Sequence, residues 1–87
     1  NIENQQKMDE ALKYVYSMNY EKAANILEEV LENDPDNALA LKRLGSIYWE
    51  MGKRKEALLL WEAAITKGEV SDRFLNFYLS MKKLYGK

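Results

Sequence analysis

The chain has 87 residues, of which 47 % are hydrophobic and 31 % are charged, and its net charge is −1. This length accommodates one domain with a modest core, and the composition excludes collagen-like and low-complexity chains. The near-neutral charge gives no reason to expect nucleic acid as a partner, and no apolar run is long enough to span a membrane.

The sequence contains no cysteine and no histidine. Disulfides, thiolate nucleophiles and cysteine-bound zinc are therefore excluded, and the commonest general base and metal ligand is absent. An acidic group at Glu28, Glu29 and Glu32 is interpreted as a solvated helix face, because a calcium site needs converging oxygen ligands and a glycine at a sharp turn. We predict no enzymatic activity, no catalytic residue, no cofactor and no metal site.

Two helices are predicted in the first part of the chain, near residues 4–17 and 20–33. Apolar residues of the second recur at the period of one helix face: Ala23, Ala24, Leu27, Val30 and Leu31. This helix is expected to end before Pro35, since proline cannot continue a helix, and Asp36 or Asn37 can cap the next one.

Three further helices are predicted near residues 37–51, 54–67 and 72–85. Their apolar stripes are Leu41, Leu44, Gly45 and Tyr48, then Ala57, Leu58, Trp61, Ala64 and Ile65, then Phe74, Leu75, Tyr78 and Leu79. Gly52 and Gly68 are expected to end the third and fourth helices. No segment alternates between apolar and polar residues at period two, so no strand is expected and the predicted fold class is all-α.

The helix pairs repeat every 34 residues. At this offset apolar or small residues recur in pairs: Tyr14 with Tyr48, Ala23 with Ala57, Leu27 with Trp61, Val30 with Ala64 and Leu31 with Ile65. Small residues let two helix backbones approach closely, and large ones fill the space beside them. Because a single helix pair cannot bury its apolar face alone, this periodicity predicts a stack of repeats.

The period, the paired helices and the residue pattern resemble the tetratricopeptide repeat family. The unit that resembles it best carries Leu41, Leu44, Gly45, Tyr48, Gly52, Ala57, Trp61 and Ala64 at the characteristic positions. The resemblance implies a solenoid fragment in one domain, residues 1–87, with repeats at 4–37 and 38–71 and a half repeat or capping helix at 72–87. In the last helix Leu79 replaces the usual small residue, which favours a cap.

Members of this family bind partners along a concave groove lined by the first helix of each repeat. Carried over by position, the resemblance implies nine partner-binding residues: Met8, Leu12, Val15, Tyr16, Lys42, Ser46, Trp49, Arg73 and Asn76. Some members hold a peptide carboxylate with lysine and asparagine, but Met8 and Leu12 stand at those positions here. We therefore expect a scaffold that binds a peptide or helix of a partner protein without that clamp.

The candidate residues differ in what their positions predict. Four of them form an apolar stripe on the first helix: Met8, Leu12, Val15 and Tyr16. This stripe either packs on an upstream segment or on residues 1–6, or it forms an exposed binding surface. Trp49 follows Tyr48, which takes the core position, so Trp49 is expected to be exposed and to anchor a partner. Trp61 lies in the core stripe and is expected to pack inside.

The charges are divided unevenly along the chain. Residues 1–36 carry nine acidic and three basic side chains, a net charge of −6, and residues 37–87 carry five acidic and ten basic ones, a net charge of +5. Such polarity favours contacts between copies, so the alternative function is an assembly module that forms weak homo-oligomers. The chain begins with Asn1 and shows no signal peptide, so we expect a fragment of a longer protein and, by default, a cytoplasmic location.

Overall fold

The computed structural model describes residues 2–68 and 71–86. Within these ranges the chain forms five α-helices and no strand: α1 Ile2–Tyr16, α2 Tyr20–Asn33, α3 Ala38–Glu50, α4 Arg54–Thr66 and α5 Asp72–Tyr85. Each helix begins and ends within two residues of the bounds expected from the sequence. The predicted all-α fold is confirmed.

The helices pack in chain order, each against the one that follows it. Turns of three or four residues join the first four helices, and connections this short bring the chain back antiparallel to the preceding helix. The side chain of Asn37 caps α3 by accepting the N–H of Ala40 at 3.0 Å, and Ser71 caps α5 by accepting the N–H of Phe74 at 3.1 Å. These polar caps fix where α3 and α5 begin.

The core consists of two groups of buried side chains that follow the predicted stripes. The larger group joins the first three helices: Met8, Ala11, Ala23, Ala24, Leu27, Val30, Ala40, Leu44 and Ile47. The smaller group joins the last two helices: Leu58, Trp61, Phe74 and Tyr78. Trp61 was expected to pack inside, and this residue is 2 % exposed. The apolar stripes therefore account for how the stack holds together.

Small residues at the predicted positions allow α3 and α4 to approach closely. Ala57 is fully buried and Gly45 is buried beside it. A Cβ atom at Gly45 would lie 2.5 Å from Cδ1 of Trp61 and 3.1 Å from the carbonyl oxygen of Ala57. The large indole thus fills the space that the missing side chain leaves.

The turns after α1 and α3 have the same backbone geometry, although one carries methionine where the other carries glycine. Met18 has a φ of 61° and Gly52, which lies 34 residues further on, has a φ of 80°. In each turn the next residue donates its N–H to the carbonyl of a core tyrosine, Asn19 to Tyr14 at 2.8 Å and Lys53 to Tyr48 at 2.9 Å. Side chains disfavour this left-handed conformation, so the first turn is strained at an exposed residue.

Replacing Met18 by glycine is expected to raise the free energy of unfolding by roughly 0.5–1 kcal/mol. The left-handed conformation costs a residue with a side chain about 1–2 kcal/mol, and glycine avoids this cost. The greater conformational freedom of glycine in the unfolded chain offsets about 0.5–1 kcal/mol of that gain. Met18 is 76 % exposed, so little packing is lost. Urea unfolding followed by circular dichroism measures the change. The reciprocal control, Gly52→Met, should destabilise, and a loss of stability in Met18→Gly would contradict this account.

Two glutamates of the second helices connect neighbouring repeats. Glu28 accepts a hydrogen bond from the Tyr48 hydroxyl, and Glu62 accepts one from Tyr78 at 2.6 Å and lies 3.7 Å from the ammonium of Lys82. The hydrogen bond to Glu28 and burial raise the pKa of Tyr48 to about 12, while burial and the hydrogen bond to Glu62 raise the pKa of Tyr78 to about 12. Both tyrosines therefore stay protonated, as hydrogen-bond donors, to a higher pH than an ordinary tyrosine does.

Glu28, Glu29 and Glu32 are exposed, as the interpretation of a solvated helix face predicts, but Glu28 also contacts a neighbouring helix. Its carboxylate joins α2 to α3. Glu29 also has a partner, since it lies 3.7 Å from the ammonium of Lys7 on α1. No signal within α2 alone could reveal these contacts, because the partners belong to neighbouring helices.

Candidate functional site

An open groove lies between α1 and α3, with a volume of about 430 Å³. On each of these two helices the lining residues recur three or four positions apart. Residues with this spacing lie on the same face of a helix, so each helix turns one face toward the groove. Its apolar lining comes from both helices and from α2: Met8, Ala11, Leu12, Val15, Tyr20, Leu27, Leu39 and Ile47. Its polar lining comes from α3 alone: Lys42, Arg43, Ser46 and Glu50. The result is an apolar cleft with charged groups along one wall.

The charged wall has two cations and one anion. Lys42 and Arg43 are half-buried near the start of α3, whereas Glu50 is exposed at its end. The carbonyl oxygen of Lys42 accepts the indole N–H of Trp61 at 3.1 Å, and its ammonium lies 4.8 Å from the ring centre of Phe74. The ammonium of Lys42 therefore lies over a ring of α5 that does not line the groove, although Lys42 itself is a lining residue.

The corresponding space between α3 and α5 is filled by the protein itself. The Trp49 ring stacks on Trp61 at 5.3 Å and meets the edge of Tyr85 at 5.2 Å. The guanidinium of Arg54 lies 4.5 Å from the Trp49 ring centre and 4.9 Å from that of Tyr85. Phe77 closes the cluster, 5.4 Å from Trp61. Such aromatic and cation–π contacts leave little of this space open.

A family model for the tetratricopeptide repeat matches residues 4–69 of the chain. This chain belongs to the tetratricopeptide repeat family. Proteins of this family are generally protein-interaction modules and typically have no enzymatic activity of their own. A search of curated proteins finds no match.

Five of the nine candidate residues line the cleft between α1 and α3. They come from both first helices: Met8, Leu12, Val15, Lys42 and Ser46. The other four do not line it: Tyr16, Trp49, Arg73 and Asn76. Tyr16, Arg73 and Asn76 are exposed on the surface beyond it. Their predicted part in binding stays a prediction.

The expectation that Trp49 is exposed is wrong. Its ring is half-buried against α4 and α5. The reason is that Trp61 and Arg54 of α4 and Tyr85 of α5 all pack against the ring. Sequence reasoning assigned the position from Tyr48, its neighbour in the chain, and overlooked two residues that reach Trp49 from other helices.

Met8 is also not an exposed groove residue. It is 3 % exposed and belongs to the core of the first three helices, so only part of it reaches the cleft. The alternative of an exposed binding surface does not hold at this position, since Met8 belongs to the buried group that joins the first three helices. The amide of Asn37 also approaches its sulfur at 3.9 Å. Leu12 and Val15 remain half-buried at the cleft.

Several lining residues were not among the nine candidates. Arg43 and Glu50 add charge to the wall, and Tyr20 adds an aromatic ring from α2. Arg43 follows Lys42 in the chain, and the spacing of four from Ser46 to Glu50 could have identified Glu50. No comparable spacing indicates Tyr20, because it lies on α2, the second helix of its repeat, whereas the candidates come from first helices.

Among residues 2–68 and 71–86, no group of three or more acidic side chains is arranged to hold a metal ion. No helix within these ranges has the length and hydropathy needed to cross a membrane.

Proposed function

We propose that the chain is an interaction scaffold that binds a peptide or helix of a partner protein in the groove between α1 and α3. The observation that supports this best is the contrast between the two parts of the concave face. The protein's own aromatic residues fill the part beside Trp49, whereas the part beside Leu12 and Val15 stays open with an apolar lining. Apolar surface exposed in a cleft is stabilised when a partner excludes water from it.

The charges of the groove favour an apolar segment that also carries carboxylates. Lys42 and Arg43 both line the groove and outnumber Glu50, although the ammonium of Lys42 also contacts the Phe74 ring. Because half-buried charges are screened less than exposed ones, a carboxylate placed beside them gains more than it would on the open surface. The preferred occupant therefore has apolar side chains for the floor and an acidic residue toward the beginning of α3.

The first test is selection of binders from a displayed library of random peptides, followed by affinity measurement on variants. Leu12→Asp places a charge on the apolar lining and should weaken a selected peptide at least tenfold, about 1.4 kcal/mol. Leu59→Asp is the matched control, since Leu59 is exposed on α4 and lies outside the groove. Equal binding by wild type and Leu12→Asp would contradict the proposal, provided that both circular-dichroism spectra agree.

The charge preference is tested separately on the same peptides. Arg43→Glu should select sequences with fewer acidic residues than the wild type does, because the wall then carries two anions and one cation. An unchanged acidic content would show that the groove binds through its apolar lining alone. The Leu12 result would then still stand.

A further inference from the structure

We propose that Arg54 is a carboxylate-binding site that Tyr85 covers in the free protein. Arg54 packs on Trp49, and neither residue lines the groove between α1 and α3, so the site does not depend on what that groove binds. Support comes from an unpaired donor of the guanidinium, from the rings that border it and from the position of Arg54 in its repeat.

The guanidinium of Arg54 has a buried donor without an acceptor. Its Nη1 atom is shielded from solvent and makes no hydrogen bond within the part of the chain that the structure describes. No ion pair among the described residues includes Arg54, and the nearest glutamates in the sequence, Glu50 and Glu56, are both exposed. Because a buried donor without a partner loses its hydration and gains nothing in return, the free protein keeps an unsatisfied cation at this place.

Two aromatic rings hold the guanidinium in position. Its central carbon lies 4.5 Å from the ring centre of Trp49 and 4.9 Å from that of Tyr85, and the two rings meet edge-on at 5.2 Å. Aromatic faces attract a cation, but they offer no oxygen to its N–H groups. The rings therefore fix the place of the guanidinium and leave its Nη1 donor to a ligand.

The 34-residue period relates Arg54 and Trp49 to the groove of the first repeat. They correspond to Tyr20 and Val15, and both of those residues line the groove. The first repeat thus places a neutral ring where the second repeat places a cation. Since tyrosine occupies this position in the first repeat, the helix pair does not need an arginine there in order to pack.

The chemistry of the site favours a carboxylate. The planar fork of a guanidinium matches a carboxylate with two parallel hydrogen bonds, and a planar group fits between bordering rings more easily than a tetrahedral phosphate. Lys53 and Lys55 are exposed on either side of Arg54 in the chain, so these three cations outnumber Glu50 and Glu56 and attract an anion. The ligand is therefore a carboxylate such as an acidic side chain of a partner protein carries.

Tyr85 controls access to the unpaired donor. Because Nη1 is buried, a carboxylate reaches it only when a covering side chain moves. Tyr85 is 45 % exposed and is the last residue of α5, whereas Trp49 is half-buried and stacks on Trp61 at 5.3 Å. The Tyr85 ring therefore moves when the carboxylate binds, and Trp49 keeps its place.

The first test is whether Arg54 stabilises the fold. Arg54→Met keeps an unbranched side chain against the rings and removes the unpaired charge, so its midpoint of urea unfolding should equal or exceed that of the wild type. Lys55→Met is the matched control, because it removes the same charge from an exposed neighbouring position, and its midpoint should stay near the wild-type value. If Arg54→Met unfolds at a clearly lower urea concentration than both, the guanidinium serves the aromatic cluster and the proposal fails.

The second test is a titration of the isotope-labelled 87-residue chain with sodium acetate, followed by NMR. Acetate should shift the Nε–H signal of Arg54 and the indole N–H signal of Trp49 to saturation, whereas sodium chloride at the same ionic strength should not, because chloride cannot accept two parallel hydrogen bonds. In Arg54→Met the saturable shift of Trp49 should disappear. Equal responses to acetate and chloride would refute the site, as would the same saturation in the wild type and in Arg54→Met.

The third test concerns Tyr85 and the class of anion. Tyr85→Ala uncovers Nη1 and should bind acetate at least about threefold more tightly, since a covered site is competent only while the ring is displaced. Leu84→Ala is the control, because Leu84 is a neighbouring side chain that is 63 % exposed, and it should bind acetate as the wild type does. An unchanged affinity in Tyr85→Ala would overturn the covering role of Tyr85. Saturation by inorganic phosphate at lower concentration than by acetate would overturn the assignment to a carboxylate.

Discussion

Trp61→Ala is expected to lower the free energy of unfolding by about 3–5 kcal/mol, the usual cost of removing a large buried aromatic side chain. Trp61 is 2 % exposed and touches rings of two helices, stacking on Trp49 and meeting Phe74 edge-on at 6.0 Å. Its N–H also satisfies the carbonyl of Lys42. A stability of about 0.05–0.15 kcal/mol per residue leaves this domain only about 4–13 kcal/mol in total. The variant should therefore be largely unfolded at a temperature where the wild type is folded.

Trp61→Phe is the control that separates ring packing from the hydrogen bond. It keeps an aromatic ring in the core, so its cost should be about 1–2 kcal/mol, from the smaller ring and the lost hydrogen bond of the indole N–H to the carbonyl of Lys42, which still accepts the Ser46 hydroxyl. Thermal unfolding monitored by circular dichroism gives both values. If Trp61→Ala unfolds at the wild-type temperature, the smaller core group does not hold α4 and α5 together.

The 34-residue period predicted the helices because the same packing positions occur in both repeats. Ala23 and Ala57 occupy the same position in two repeats, and both are fully buried. Each independent copy of a position strengthens the assignment of its face. The end residues of the helices were also predictable, since Pro35 and Gly52 act on the local backbone and need no knowledge of the rest of the chain.

The candidate site was less predictable, because the period says nothing about residues that differ between the repeats. Trp49 corresponds to Val15 at the 34-residue offset, yet one is covered by aromatic residues and the other lines an open cleft. The difference arises from Tyr85 and Arg54, which pack on the Trp49 ring. At the same offset these two residues correspond to Met51 and Tyr20. The burial of Met8 likewise depends on the side chains around it. The burial of a groove residue thus depends on side chains from three helices, and not only on the helix to which the residue belongs.

Gly45→Ala is expected to destabilise the domain by about 1–3 kcal/mol, although alanine favours a helix by about 1 kcal/mol over glycine. The new Cβ would lie 2.5 Å from Cδ1 and 2.6 Å from Nε1 of Trp61. The ring cannot move away freely, because Trp49, Phe74 and Phe77 surround it. Relief therefore requires α3 and α4 to separate, which weakens the largest contact in the stack.

A double-mutant cycle tests whether the indole is the cause. Gly45→Ala combined with Trp61→Phe should be less destabilised than the sum of the two single changes by at least about 0.5 kcal/mol, since side chains in contact are not additive. Ser46→Ala is the neighbouring control on the exposed side of α3 and should stay within about 0.5 kcal/mol of the wild type. Urea unfolding of the wild type, the two single variants and the double variant gives the four free energies that the cycle compares. Strict additivity would place the strain on the backbone of Ala57, whose carbonyl oxygen would lie 3.1 Å from the added atom, because that contact does not depend on the ring at position 61.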